Sequence, residues 1–274
     1  MKNIAILLTC HNRKDKTLAC LSSLYTCIVP EGYSFEVFLV DDGSTDGTSE
    51  AVREQFPLVN VIIGEGTLFW NRGMNRAWSE AAKKDFDYYL WLNDDTILHA
   101  YALSVLLHTS EQLQHRVIVV GSTCAVNDTT IVTYGGRTSA GQVIQPTNET
   151  QTCNYFNGNI VLFPKYVYEK VGMNDPVFRH ALGDFDYGLR AVKACIQLIV
   201  APNILGKCDT NVGFSTWCNP KQPFKIRWKA FRTPIGQNPE EFFVFEMRHG
   251  GLGKALFHYM TNHLRVVCPR LWGK

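Results

Sequence analysis

Three times before residue 100 this chain repeats one pattern: a short apolar, β-favouring run, then a cluster of acidic and other polar residues, then a helix-forming stretch. Asn3–Thr9 closes on Thr9-Cys10-His11-Asn12-Arg13. Phe35–Val40 closes on Asp41-Asp42-Gly43-Ser44-Thr45-Asp46-Gly47. Tyr88–Leu92 closes on Asn93-Asp94-Asp95. Apolar runs without polar alternation suit strands covered on both faces, and strands separated by helices pair in parallel. The pattern therefore predicts an α/β fold: a mostly parallel, Rossmann-like mixed sheet flanked by helices. In such sheets ligands bind beyond the carboxyl ends of the strands, where these polar clusters stand.

The remaining elements fit this frame. Helices are predicted over Lys14–Cys27, Gly47–Gln55 (with Asp46 as its cap), Gly73–Lys84, Ala100–Leu113, Lys165–Val171 and Asp184–Ala194. Further strands are predicted at Val59–Ile63, Val117–Val120, Asn159–Phe163 and Ile196–Val200. Between Ser122 and Thr152 the periodicity weakens into a loop or hairpin excursion. A single helical stretch is predicted over Glu240–Val267. A boundary near Gly213–Pro223 divides the chain into a nucleotide-binding and catalytic body, 1–212, and a C-terminal extension, 213–274.

Charge separates these parts. From Lys221 to Lys274 there are 10 Lys/Arg against 3 Asp/Glu; the rest carries 17 against 22. The overall charge of +2 argues against nucleic acid as a partner. A basic extension rich in aromatics (Phe224, Trp228, Phe231, Phe242, Phe243, Phe245, Phe257, Tyr259, Trp272) faces either an anionic membrane surface or the body of the protein. The nine cysteines include no CxxC pair and read as reduced, mostly buried thiols. The N-terminal apolar run is too short for a signal peptide, and no stretch reaches the ~18 apolar residues of a membrane span. The expected location is the cytoplasm, with the extension bringing the chain to the inner face of the cell membrane.

The clusters constrain the chemistry. Neither GxGxxG nor GxxxxGK[ST] occurs, so a nucleotide must be held without a glycine-rich phosphate loop. Paired carboxylates at Asp94-Asp95 suit Mn²⁺ or Mg²⁺, hard cations that bridge carboxylates to substrate phosphates; a turn with a helix cap is the plainer reading. Asp184 and Asp186 straddle a helix start, where they serve either as dipole-compensating caps or as a general base for an alcohol nucleophile.

Five segments together resemble the family 2 glycosyltransferases of the GT-A fold: TCHNR at 9–13, VDDGSTDGT at 40–48, GMNRA at 73–77, WLNDDT at 91–96 and GDFDYGLR at 183–190. The resemblance covers roughly residues 1–210. It implies that Thr9, His11, Arg13, Asp41, Gly43, Asn75 and Asp94 bind the donor nucleotide, and that Asp95 ligates the metal. Asp184 is the implied base, with Asp186 as the alternative. The implied reaction is inverting transfer of a sugar from a UDP- or dTDP-sugar to the hydroxyl of a saccharide or lipid-linked saccharide, in bacterial surface-polysaccharide synthesis. Rhamnose is a plausible donor sugar. Trp70 stacks on a sugar or packs in the core. His180 and the Arg248-His249 pair face acceptor or diphosphate, or serve structure. Three positions depart from the family: Cys10 stands for an aromatic residue, Asn93 for an Asp, and Gly183 for the Glu that precedes the base. Nucleotidyl transfer on a similar scaffold and sugar-nucleotide binding without turnover are the competing readings.

Overall fold

Residues 1–210 and 215–271 are described by a computed structural model. The apolar runs build one sheet. Its strands are β1 (Lys2–Cys10), β2 (Tyr33–Asp41), β3 (Asn60–Ile63), β4 (Tyr88–Leu92), β5 (Ile97–Leu98), β6 (Ile118–Cys124), β7 (Val132–Tyr134), β9 (Gln151–Thr152), β11 (Ile160–Pro164) and β12 (Leu198–Lys207). The order is β3-β2-β1-β4-β11-β6-β12-β5, with β7 on β6 and β9 on β12; β8 (Gly136–Arg137) and β10 (Tyr155–Phe156) form a separate ribbon. The β3-β2-β1-β4 half is parallel, and β11 runs antiparallel between β4 and β6.

Strand alternation divides the core into two layers. Ile4, Ile6, Leu8 and Leu90 face one side, covered by α1 (Lys14–Tyr25) and α4 (Ala102–Gln112). Ala5, Leu7, Tyr89 and Trp91 face the other, covered by α3 (Phe69–Ala81) and α6 (Gly183–Lys193). Trp78 and Trp91 are fully buried and meet edge-on with ring centroids 5.7 Å apart. Helices α2 (Thr48–Gln55) and α5 (Lys165–Val171) complete the body.

Several boundaries differ from the sequence reading for identifiable reasons. Helix α2 begins at Thr48 behind a left-handed Gly47, so Asp46 lies one residue outside the cap; its carboxylate instead accepts from the amides of Thr48 and Lys14. Helix α3 begins at Phe69, not Gly73, because Asp42 accepts hydrogen bonds from the Leu68 and Phe69 amides, each at 2.9 Å. A helix's first amides lack partners within the helix; here a distant strand end supplies the partner.

The single C-terminal helix expected over Glu240–Val267 is a helical hairpin. Gly251, at φ 83°, breaks it into α8 (Pro239–Gly250) and α9 (Leu252–Val267). An additional helix, α7 (Phe224–Phe231), precedes them. Trp217, Cys218, Phe231 and Val266 form a small core of their own. The boundary expected between residues 212 and 213 lies outside the described residues, as does Trp272. All nine cysteines are free.

Candidate active site

The carboxyl edge of the parallel strands opens into a cleft of about 510 Å³. Thr9, His11 and Arg13 reach it from the end of β1, Asn93, Asp94 and Asp95 from the end of β4, and Asp184 from the first turn of α6. Gly73 permits this closeness: a Cβ there would lie 2.1 Å from Thr9 Oγ1, so α3 packs directly on β1 only with glycine at that position.

One cation already spans the acidic pair. Arg13 Nη1 donates to Asp94 Oδ1 at 3.1 Å and to Asp95 Oδ2 at 2.8 Å. Asp95 Oδ1 also accepts from the Cys208 thiol at 3.5 Å. Asp94 is 5% exposed, and its Oδ2 is buried with no hydrogen-bond partner among the described residues. Burial pushes the Asp94 carboxyl up to about 7 against the pull of Arg13, with the Asp95 charge adding to the rise. Among the described residues no three His, Cys, Asp or Glu side chains form a metal cage. Two carboxylates and an unsatisfied oxygen nonetheless fit a hard cation that takes its other ligands from a diphosphate and water.

Asp184 sits in a different environment from Asp186, two residues away. Its Oδ2 accepts from the Gly158 amide at 3.1 Å and its Oδ1 from the Phe185 amide at 2.9 Å. Burial raises its pKa to about 6 against those two amides. Such a carboxyl is ionised near neutrality yet basic enough to accept a proton. Asp186 is fully buried and points away from the cleft, with Arg190 at 2.9 Å, Arg248 at 2.8 Å and His249 at 2.9 Å around it. Burial opposes its ionisation, but these three partners outweigh it and hold the carboxyl below its ordinary range. A carboxylate so neutralised is placed as a structural anchor, whereas Asp184 is the one of the two that lines the cleft.

The other expected residues divide in the same way. Trp70 and His180 line the cleft. Trp70 Nε1 donates to Asn93 Oδ1 at 2.7 Å, and its ring lies against Gly158, where a Cβ would be 2.6 Å away. His180 meets the Phe69 ring edge-on, and its Nδ1 is buried without a partner among the described residues. Burial favours the neutral imidazole, as does the charge of Arg13, while Glu241 opposes them.

Asp41 does not line the cleft. Its oxygens are taken by the Ser44 amide at 2.8 Å and the Ser49 hydroxyl, which fold the loop after β2. Its neighbour Asp42 lines the cleft instead, bonded to the amides of Gly66, Leu68 and Phe69. Gly43 serves the backbone: its φ is 71°, and a Cβ would lie 2.8 Å from Gly66 N. Asn75 donates to the Asn174 carbonyl at 2.7 Å, away from the cleft. Arg248 and His249 are likewise turned to Asp186 and not to the cleft.

Asn157, Gly158 and Cys208 are cleft residues that strand-end reasoning missed. Asn157 and Gly158 precede β11, an antiparallel strand, so its amino end lies at the carboxyl edge of its neighbours. Asn93 N donates to Asn159 O there at 3.0 Å. An Asn-Gly-Asn cluster before an apolar run was the available signal. Cys208 is delivered by β12, which runs on to Lys207 through an irregular stretch with Asn203 at φ 63°.

A parallel half-sheet, one antiparallel strand inserted beside it, and an acidic cleft at the carboxyl edge define the GT-A class of glycosyltransferase folds. The chain belongs to glycosyl transferase family 2: the profile of that family, "Glycosyl transferase family 2", matches residues 5–172. It is 23% identical over 223 residues to a poly-beta-1,6-N-acetyl-D-glucosamine synthase of Staphylococcus epidermidis, covering 75% of this chain and 52% of that protein. The chain thus spans about half the length of the curated relatives it matches. Among solved structures it resembles S. aureus TarS 1–349 in complex with UDP-GlcNAc (TM-score 0.61, 15% identity, all of this chain and 74% of that one). It also resembles the mannosyltransferase PcManGT of Pyrobaculum calidifontis in complex with GDP-Man and Mn²⁺ (TM-score 0.57, 15% identity, 98% of this chain and 82% of that one).

Proposed function

We propose that this chain transfers a sugar from a nucleotide-diphosphate donor to an acceptor hydroxyl with inversion, in surface-polysaccharide synthesis. One observation carries the reading. The acidic pair Asp94-Asp95, bridged by Arg13, and a separate carboxylate of raised basicity open into the same cleft, so leaving group and nucleophile can be served at once. Family membership and the sugar nucleotides bound to the TarS and PcManGT structures support it.

In this reading Asp184 takes the proton of the acceptor hydroxyl as its oxygen bonds to the anomeric carbon and the nucleoside diphosphate departs. The Gly158 and Phe185 amides hold that carboxylate in place. Asp95, with Asp94, would hold Mn²⁺ or Mg²⁺, whose chemistry there would be to supply positive charge to a diphosphate leaving group. Arg13, which donates to both carboxylates at the mouth of the cleft, would offer a positive charge to the donor phosphates. Thr9 and His11 line the nucleotide end, with His11 fixed by the Asp42 carbonyl at 2.6 Å from its Nδ1. The donor is a UDP- or dTDP-sugar, and the acceptor is a saccharide or lipid-linked saccharide presented at the inner face of the cell membrane.

The test is a panel of UDP-, dTDP- and GDP-sugars with Mn²⁺, in the presence and absence of excess chelator, with product nucleotide identified. Release of a nucleoside diphosphate from one donor, stimulated by metal and reduced by Asp95→Ala, is the expected result. Pyrophosphate release would point to nucleotidyl transfer, and donor binding without turnover to a binding protein; either would overturn the proposal.

A further inference from the structure

Helix α9 turns two different faces outward from its buried side. Ala255 and Val266 are fully buried, and Val266 joins the small core of the extension. Leu252, Leu256, Phe257, Met260, Leu264 and Val267 are between 46% and 59% exposed. At ~100° per residue these six fall within one arc of about 140°. Lys254 and Arg265 lie outside it. A stripe of this kind along a helix of 16 residues, ~24 Å long, is far more apolar surface than a solvated helix carries.

The stripe continues onto α7. The rings of Trp228 and His263 are 6.0 Å apart, and Phe224 stands 5.9 Å from Trp228. Phe224, Ile226 and Trp228 are exposed, and Lys225 and Lys229 alternate with them, also exposed. The charge there is uncompensated. All three acids of the extension are already engaged: Glu240 with Arg232, Glu241 with Arg179, and Glu246 with Lys254 and His258. Lys221, Lys225, Lys229 and Arg270 have no acidic partner among the described residues.

We propose that this joined face of α7 and α9 seats the enzyme on an anionic lipid bilayer. The α9 stripe and Trp228 immerse at the acyl boundary, and Lys221, Lys225, Lys229 and Arg270 meet the headgroups. The chemistry favours lipid over a second copy of the chain: the apolar stripe is bordered by unpaired cations of one sign, which repel their own image but attract an anionic surface. No helix among the described residues is long and apolar enough to cross a membrane; the contact proposed for α7 and α9 is one that lies along the surface. The same segment touches the cleft: Ile235, between α7 and α8, is one of the cleft-lining residues. The docking segment thus adjoins the rim of the active site in the chain. The proposal deepens the reading of a membrane-borne acceptor but stands on its own observations.

Co-sedimentation of the full chain with phosphatidylglycerol vesicles, with phosphatidylcholine vesicles as control, tests it. Binding to the anionic vesicles that weakens with salt is expected. The variants L256N/M260N/L264N and K225E/K229E should each lower it roughly tenfold or more. Circular dichroism and donor hydrolysis without acceptor should stay unchanged, since none of these residues lines the cleft. Equal partition onto both vesicle types, or undiminished binding by both variants, would overturn the proposal. So would a concentration-dependent dimer in light scattering that L256N/M260N/L264N abolishes. Loss of donor hydrolysis by the wild-type chain would count against the transferase reading alone, because vesicle binding is measured without a donor.

Discussion

Asp184 and Asp186 are both acidic residues in the first turn of one helix, and only their surroundings set them apart. Among the described residues Asp184 meets two amides and no cation at hydrogen-bond distance; Asp186 meets three basic side chains. Asp184→Asn is expected to lower kcat by ~10²-fold or more with donor affinity and melting temperature retained. In the wild-type chain kcat/KM should fall as pH drops through about 6, where Asp184 becomes protonated. A rate profile flat between pH 5 and 7 would remove Asp184 as the base. Gly183 illustrates a departure from the family that has a steric cause. A Cβ there would lie 2.0 Å from Asn71 Oδ1, so the family's Glu would fit only if this Asn71 shifted. Asn71 is buried and holds the 174–178 loop through the carbonyls of Asp175 and Phe178. Gly183→Glu should cost ~1–3 kcal/mol, read as a lowered midpoint in denaturant, and Asn71→Ala should make the added cost of Gly183→Glu smaller.

At the scale of elements, the loop from β2 to α3 depends on one side chain. The Asp42 carboxylate gathers the amides of Gly66, Leu68 and Phe69 and so starts α3 four residues earlier than local spacing implies. That early start places Trp70 on Asn93 and Gly158 at the cleft wall. Asp42→Ala should cost about 2–4 kcal/mol and raise hydrogen exchange in residues 64–72 ahead of the rest of the sheet. Uniform protection across that segment would show that the cap is dispensable. The strands themselves were legible because every residue of β4 is apolar, and such a run has few homes other than a doubly covered sheet. Helix α7 and the break at Gly251 were not, because a basic, aromatic-rich stretch keeps its helical spacing on both sides of a single left-handed glycine.

For the whole molecule, the extension is fastened to the body through buried charge. Arg248 reaches Asp186 and Asp175, and Glu241 takes Arg179 at 2.5 Å. Removing one partner of a buried pair leaves the others uncompensated. Asp186→Ala should therefore destabilise the fold by ~3–5 kcal/mol, lowering the melting temperature in a way that Asp184→Asn does not. The folded pKa of Asp186 is depressed, so its contribution is complete above the ordinary carboxylate pKa of about 3.9 and is lost as pH falls through the lower folded value. A melting temperature unchanged by Asp186→Ala would show that this fastening contributes little.

The order of apolar runs and polar clusters was enough to determine a parallel α/β sheet and to put Thr9, Arg13, Asp94 and Asp95 at one edge of it, because strand period and chain direction are local properties. Which carboxylate faces the cleft was not local. Asp41 or Asp42, Asp184 or Asp186, and the roles of Arg248 and His249 were decided by partners arriving from distant segments. A carboxylate's charge state and direction depend on burial and on what donates to it, and both exist only once the chain has folded.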